Sequence, residues 1–137
     1  MKRSEALQEF VLAASTLTSM VERRSFHHAL SVAELCRKVG ETQGLGPLRM
    51  RHLMYAALLH DIGEITLSEK ILDKKGQLTA KERRIMENHT VVGYKVVSKI
   101  PTLEPSACLI RWHHENLDGT GYPDALEGDA IPLEASI

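Results

Sequence analysis

Cysteine, aromatic rings and unbalanced charge are all scarce in this sequence. Only two cysteines occur, Cys36 and Cys108, and they form no Cys-x-x-Cys pair. That excludes a zinc knuckle and a dithiol redox motif. It predicts two buried, reduced thiols, as expected of a cytoplasmic chain. No apolar run approaches the roughly 20 residues needed to cross a bilayer. The basic start, Met1-Lys2-Arg3, leads into an amphipathic stretch with Glu5, Glu9 and Glu22, which lacks the apolar core of a secretion signal. Seventeen basic residues against 18 acidic ones leave a net charge of −1. This gives no electrostatic case for a DNA or RNA polymer, or for an anionic membrane, as partner. No fixed-period repeat, low-complexity segment or convincing strand appears. What the chain does have is histidine, with seven imidazoles against two Phe, one Trp and three Tyr.

At 137 residues, 43% hydrophobic and 26% charged, the expectation is one globular domain. The periodicity is helical throughout. Leu7, Phe10, Val11, Ala14, Leu17, Met20 and Val21 recur at 3.6-residue spacing and predict an apolar stripe on a helix over 4–23. A second helix is predicted over 25–39 with the stripe His28, Val32, Leu35, Cys36 and Val39, stopping at Gly40. Pro47 suits the first turn of a third helix, which carries Met50, Leu53, Met54, Ala57 and Leu58 to His60. Gly63 is its expected terminator. A connecting segment over 64–78 has room for one helical turn at 68–72. Thr79-Ala80-Lys81-Glu82 has capping-box form. The helix it opens is predicted to run unbroken, with Ile85, Met86, His89, Val92, Gly93, Val96 and Val97 on one face, until Pro101. A fifth helix from Thr102 carries Ala107, Leu109 and Ile110 to His113-His114, with Trp112 in the core. A glycine-rich loop follows over 116–123, and Ile131-Pro132-Leu133-Glu134 opens a sixth helix. The fold class is therefore all-α, a single helical bundle of about six helices.

The histidines are placed with a pattern. His28, His60 and His89 fall on the apolar sides of three different helices, and His113-His114 close another. An inward imidazole needs a partner or a metal, because burying it unpaired costs about 1–3 kcal/mol. Asp61 directly follows His60. Neighbouring helical side chains diverge by about 100°, so the pair is expected to reach a metal cluster from one side at two coordination positions, with Asp61 able to bridge two ions. Imidazole with carboxylate suits Fe, Mn, Ni or Zn rather than calcium.

The same residues carry a family resemblance. His60-Asp61-Ile62-Gly63, then His89-Thr90-Val91-Val92-Gly93, then His113-His114-Glu115-Asn116-Leu117-Asp118-Gly119-Thr120-Gly121-Tyr122-Pro123, resembles the HD-GYP subgroup of the HD-domain metal-dependent phosphohydrolases. The similarity starts near His28-Ala29-Leu30-Ser31-Val32-Ala33 and reaches Ile131-Pro132-Leu133-Glu134, about three quarters of the chain. It implies an all-helical HD-type bundle that binds divalent metals, commonly iron or manganese. It also implies hydrolysis of cyclic di-GMP by a metal-activated hydroxide at a binuclear site. It makes His28, His60, Asp61, His89, His113 and His114 the metal-ligand candidates, and Asp118, Gly119, Gly121, Tyr122 and Pro123 the substrate loop. Tyr122 is read either as a base-stacking or hydrogen-bonding group or as packing for the loop. A cyclic-di-GMP-synthesising domain is the implied protein partner.

Three departures qualify the resemblance. The family usually has a lysine where this chain has Glu64. That carboxylate is read with Asp61 as a catalytic candidate, as an extra ligand, or as a solvated or structural side chain. Some members place a Glu for a third metal where Arg24 stands here, which disfavours a three-metal site. The family's Ala-Arg-Ile run reads Ala135-Ser136-Ile137, and the aspartate expected beyond it does not occur within the sequence. The expected organisation is one domain over 1–137, with a leading helix over 1–23 and a metal-site core over 24–137 that lacks its last ligand. Two alternatives accompany the phosphodiesterase reading: a general HD phosphohydrolase acting on nucleotides or other phosphoesters, and a non-catalytic signalling or interaction domain.

Overall fold

A computed structural model of the chain describes residues 2–21 and 26–137. The expected end of the first helix at 22–23, the start of the second at Ser25, and Arg24 lie outside the described residues. Among the described residues there are eight α-helices and no strand. They are α1 (Lys2–Val21), α2 (Phe26–Thr42), α3 (Pro47–Leu59), α4 (Glu69–Leu72), α5 (Ala80–Glu87), α6 (His89–Val97), α7 (Glu104–Trp112) and α8 (Leu133–Ser136). Short 3-10 turns cover Ile62–Thr66, Pro101–Leu103 and Gly128–Ala130. One isolated bridge joins Asp118 to Glu127. No helix among these residues is long and apolar enough to cross a membrane. The all-α expectation holds. The count exceeds six because α4 is a helix of its own and because the long predicted helix after Thr79 is two.

That break has a local cause. The His89 ring donates from Nδ1 to the Met86 carbonyl at 2.7 Å, and the Thr90 hydroxyl donates to the Glu87 carbonyl at 3.1 Å. Side-chain donors compete with the backbone ladder for these carbonyls, and Asn88 turns with ψ at −12°. The start of α5 matches the predicted capping box in full. Thr79 Oγ1 accepts the Glu82 N–H at 3.3 Å, and the Glu82 carboxylate accepts the Thr79 N–H at 2.7 Å. Pro101 does not end α6, which stops at Val97. It opens the turn that leads into α7.

Two glycines expected to stop helices do something else. Gly40 lies within α2, where a Cβ would meet Met50 Cε at 2.8 Å and Leu45 Cδ1 at 3.1 Å. The helix stops later, at Thr42, and the chain turns away at Gly44, whose φ of +70° is cheap only without a Cβ. The Leu45 N–H closes that end on the Gly40 carbonyl at 3.0 Å. Gly63 lies in the 3-10 turn after α3, pressed on the backbone of α6.

Central in the bundle is α3, which touches α1, α2, α7 and α8. Tyr55, Ala56 and Leu59 face Val11, Leu103, Ala107 and Ile110 in the main core. Ala33, Cys36, Leu53 and Ala57 form a second core between α2 and α3. The predicted stripes on α1 and α2 are only partly the buried ones. On α2 the buried line is Ala29, Ala33, Cys36 and Gly40, while Leu35 and Val39 are exposed, because close approach to α3 selects small side chains. On α1 the buried line is Val11, Ser15, Thr18 and Ser19, while Phe10, Leu17, Met20 and Val21 are exposed. Cys36 is buried and Cys108 half-buried, both free thiols; burial raises the pKa of each.

Candidate metal centre

Three histidines occupy the same kind of position. His60 caps the C-terminus of α3, His89 begins α6 at the break, and His113 caps the C-terminus of α7. In each, Nδ1 donates to the carbonyl three residues earlier: Ala57 at 2.8 Å, Met86 at 2.7 Å and Ile110 at 2.7 Å. A carbonyl only accepts, so Nδ1 carries the proton and Nε2 is turned outward from the helix end.

All three Nε2 atoms turn toward one carboxylate. Asp61 Oδ2 is 2.9 Å from His60 Nε2, and Oδ1 is 3.6 Å from His89 Nε2 and 3.9 Å from His113 Nε2. The first distance brings two lone pairs together unless a proton or a cation lies between them. The other two are too long for hydrogen bonds, and the Nε2 atoms of His89 and His113 are buried with no hydrogen-bond partner. Two buried imidazole nitrogens and a carboxylate oxygen around one gap form a donor set that a transition metal fits, since its bonds to such atoms are about 2.0–2.2 Å. The expected divergence of His60 and Asp61 is not found. The chain leaves α3 at His60 and turns into the 3-10 segment, so the two side chains converge.

The remaining candidates extend the cluster on both sides. The His28 ring lies 6.2 Å from that of His60, and the His114 ring 4.1 Å from that of His113 and 5.2 Å from that of His89. Ligand atoms fall within 4.8 Å of one another in three groups: His28-His60-Asp61, His89-His113-His114 and Asp61-Glu64-His89. Glu64 is only 5% exposed. This rules out the solvated reading, because the 3-10 turn points its carboxylate into the same cleft. That cleft, of about 370 Å³, is lined by the five histidines, Asp61, Glu64, Met86 and Tyr122.

Electrostatics in the cleft keeps Asp61 charged and His113 neutral. Burial alone would raise the Asp61 carboxyl. The hydrogen bond and charge of His60, with His113 and His89 behind it, hold it well below the usual carboxylate range. Burial, then the neighbouring His114, pushes His113 down from 6.5 to about 3. His114 is lowered chiefly by burial, then by His89. The sign of the linkage follows. Between pH 6.5 and about 3 the unfolded chain binds a proton at His113 that the folded chain does not, so folding stability falls as pH drops through that window. Asp61 adds to the loss at the acid end. For the metal-free chain, the urea midpoint is expected to decline steadily from pH 7 to pH 4; a flat profile would show that His113 is not buried as described.

The predicted substrate loop divides in two. Tyr122 reaches the cleft, stacked on His114 at 4.8 Å between ring centroids. Its hydroxyl is pushed up to about 12 by burial and then by Glu87, Asp61 and Glu64. Pro123 lines an adjoining depression with Arg84, Asn88 and Val91. Asp118, Gly119 and Gly121 do not line the cleft; they shape the loop. The Asp118 carboxylate accepts the Thr120 N–H at 3.0 Å and its hydroxyl at 2.6 Å. Gly119 has φ +76°, and a Cβ on Gly121 would sit 2.3 Å from the Asn116 nitrogen.

The loop's anchors were not among the predicted site residues. Glu115 is buried and accepts the N–H groups of Asp124 at 2.7 Å and Leu126 at 2.9 Å. Asp124 in turn accepts two bonds from Arg111, each at 2.7 Å, and the Trp112 indole N–H at 2.8 Å. Trp112 is therefore a half-buried clamp rather than core. The sequence signal available for Glu115 was its place directly after the His pair. Glu115→Gln replaces one acceptor by an NH₂ group and leaves a buried N–H unsatisfied, at a cost of about 1–3 kcal/mol. Faster hydrogen exchange at Asp124 and Leu126 is the expected result.

Residues 10–137 match the family described as HD domain. The chain is 42% identical over 101 residues to the cyclic di-GMP phosphodiesterase response regulator RpfG of Xanthomonas campestris, covering 72% of this chain and 27% of that protein. It is 33% identical over 133 residues to a cyclic di-GMP phosphodiesterase of Thermotoga maritima, covering 96% of this chain and 36% of that protein. It is 31% identical over 135 residues to the 3'3'-cGAMP-specific phosphodiesterase 2 of Vibrio cholerae, covering 97% and 26%. The chain thus spans about a quarter to a third of the length of these curated relatives. By the family match and by its helical His-Asp cluster beside a Gly-Tyr-Pro loop, the chain belongs to the HD domain family, in its HD-GYP subgroup.

Proposed function

We propose that this chain is the metal-dependent phosphodiesterase domain of a cyclic-dinucleotide signalling protein, a single domain over 1–137 that acts in the cytoplasm on cyclic di-GMP. The observation that carries this is the single carboxylate of Asp61, turned toward His60 on one oxygen and toward the unpartnered nitrogens of His89 and His113 on the other. Such an arrangement suits two ions sharing one bridging carboxylate. His28, His60 and Asp61 would hold one, and Asp61, His89, His113 and His114 the other, with iron or manganese favoured over nickel or zinc. When bound, such ions supply charge relief at the phosphoryl oxygens and an activated water at neutral pH.

The chain's own residues do the rest. The Nδ1 hydrogen bonds fix each ring so that its Nε2 needs no reorientation. Asp61 stays ionised and offsets cationic charge. Glu64, buried beside Asp61 and His89, accepts a proton at its carboxylate or adds an oxygen ligand. Tyr122, held protonated on the His114 ring, presents a flat face and an O–H donor at the cleft mouth, while Pro123 extends the surface a purine would cover. A cyclic-di-GMP-synthesising domain is the proposed partner for the loop surface.

A second substrate, 3'3'-cyclic GMP–AMP, is favoured by the name of the Vibrio relative. The test is metal analysis of the purified chain, then anaerobic incubation with Fe²⁺ or Mn²⁺ and each cyclic dinucleotide, with mononucleotide substrates alongside. Turnover of one cyclic dinucleotide is the expected result. Turnover of mononucleotides alone would favour a general phosphohydrolase, and metal retention with no turnover would favour a binding domain.

A further inference from the structure

The inner face of α1 carries hydroxyl groups where the sequence pattern expected methyl groups. Ser15 is 1% exposed, Thr18 5% and Ser19 7%. Thr18 and Ser19 donate their hydroxyl protons one turn back, to the carbonyls of Ala14 and Ser15, each at 3.0 Å. Ser15 does not follow them. Its Oγ is buried and has no hydrogen-bond partner. Native structures bury such groups with an ordered water or ion more often than with nothing.

Beside Ser15 lies a small cavity of about 10 Å³, lined by Ser15, Thr18, Ser19, His28, His60 and Asp61, with Ala29 and Leu58 as its apolar walls. That is close to the space one water requires, and a buried water needs two to four polar partners. The walls supply three hydroxyls, two imidazoles and a carboxylate, so the cavity is both large enough and polar enough.

We propose that a single buried water occupies this cavity and that Ser15 is a positioning residue for Asp61. The direction of each bond follows from the donor inventory. A carboxylate only accepts, so the water donates to Asp61 and the Ser15 hydroxyl donates to the water. Held from the α1 side, the carboxylate keeps its plane toward His60, His89 and His113. The leading helix thereby contributes to the metal site without supplying a ligand. This rests on the metal-centre reading above.

The test compares the full chain with Ser15→Ala and with Val11→Ala, a core truncation on the same helix away from the cavity. Mn²⁺ affinity is measured by calorimetry and metal-free Tm by thermal melting. The expected result for Ser15→Ala is Mn²⁺ binding weakened about tenfold, the scale typical of outer partners of metal ligands, with no rise in Tm. Val11→Ala is expected to lower Tm and leave Mn²⁺ affinity within about twofold. Unchanged affinity in Ser15→Ala overturns the proposal, as does equal weakening in both variants, which would mark a merely structural effect. If the parent chain takes up no Mn²⁺, it is the metal reading that fails. Melting then decides alone: a higher Tm in Ser15→Ala means that the hydroxyl was buried dry, and no rise supports the water.

Discussion

Asp61→Asn is expected to remove metal binding and cyclic-dinucleotide turnover while leaving the helical fold in place. The substitution is nearly isosteric, so packing against His60 and the 3-10 turn is kept. What changes is charge and donor capacity. An amide offers one oxygen where the carboxylate offers two, and Asp61 uses both, Oδ2 toward His60 and Oδ1 toward His89 and His113. It also removes the negative charge that lies among three imidazoles. Losing an outer-shell partner typically weakens a metal site 10–100-fold, so losing a bridging ligand should exceed the upper end, about a hundredfold or more. Calorimetry with Mn²⁺, circular dichroism and the turnover assay together check this. Retained metal affinity with an unaltered fold would refute the assignment of Asp61 as the bridge.

The second large effect is on folding. Gly63→Ala is expected to destabilise the chain by at least about 1–3 kcal/mol, the range for forced overpacking, and to lower Tm by roughly 5–15 °C. A Cβ at this position would sit 1.9 Å from the His89 carbonyl oxygen, 2.7 Å from its carbon and 2.9 Å from the Gly93 nitrogen. All three are backbone atoms, so no side-chain rotation relieves the clash. The 3-10 turn must then move off α6, which carries Asp61 and Glu64 away from His89. Metal affinity should fall along with stability. Gly76→Ala is the control, because nothing lies within 4 Å of its built Cβ. A Gly63→Ala chain that melts like the control would mean that the turn and α6 are not packed as described.

Much of the candidate site was legible in the sequence because its parts are local. Each buried histidine sits at a helix end or break, where its ring can reach the carbonyl three residues back. That geometry depends on a few consecutive residues such as Ala57 to His60. The capping box at Thr79 is local in the same way. The places where expectation failed are those where a local pattern admits more than one outcome. An uninterrupted 3.6-residue period from Ile85 to Val97 does not register that His89 and Thr90 divert two carbonyls. A glycine after an apolar helix suggests a stop, yet Gly40 and Gly63 are required for close approach by elements distant in sequence. Asp118, Gly119 and Gly121 belong to a strong motif, and only the folded loop shows that they shape it while Tyr122 faces the cleft.

By itself, the sequence determined the all-α class and the approximate helix positions, since these depend on periodicity and residue type, and its motifs singled out the histidines and Asp61 as candidate ligands. Only the tertiary structure decided which faces are covered. On α1 both an apolar face and a hydroxyl-bearing face recur at helical spacing, and burial went to Val11, Ser15, Thr18 and Ser19 because the surface opposite them combines the core with His28, His60 and Asp61. It also decided that one carboxylate faces three imidazoles from three helices. That convergence is set by how α3, α6 and α7 pack, and no periodicity within any one of them encodes it.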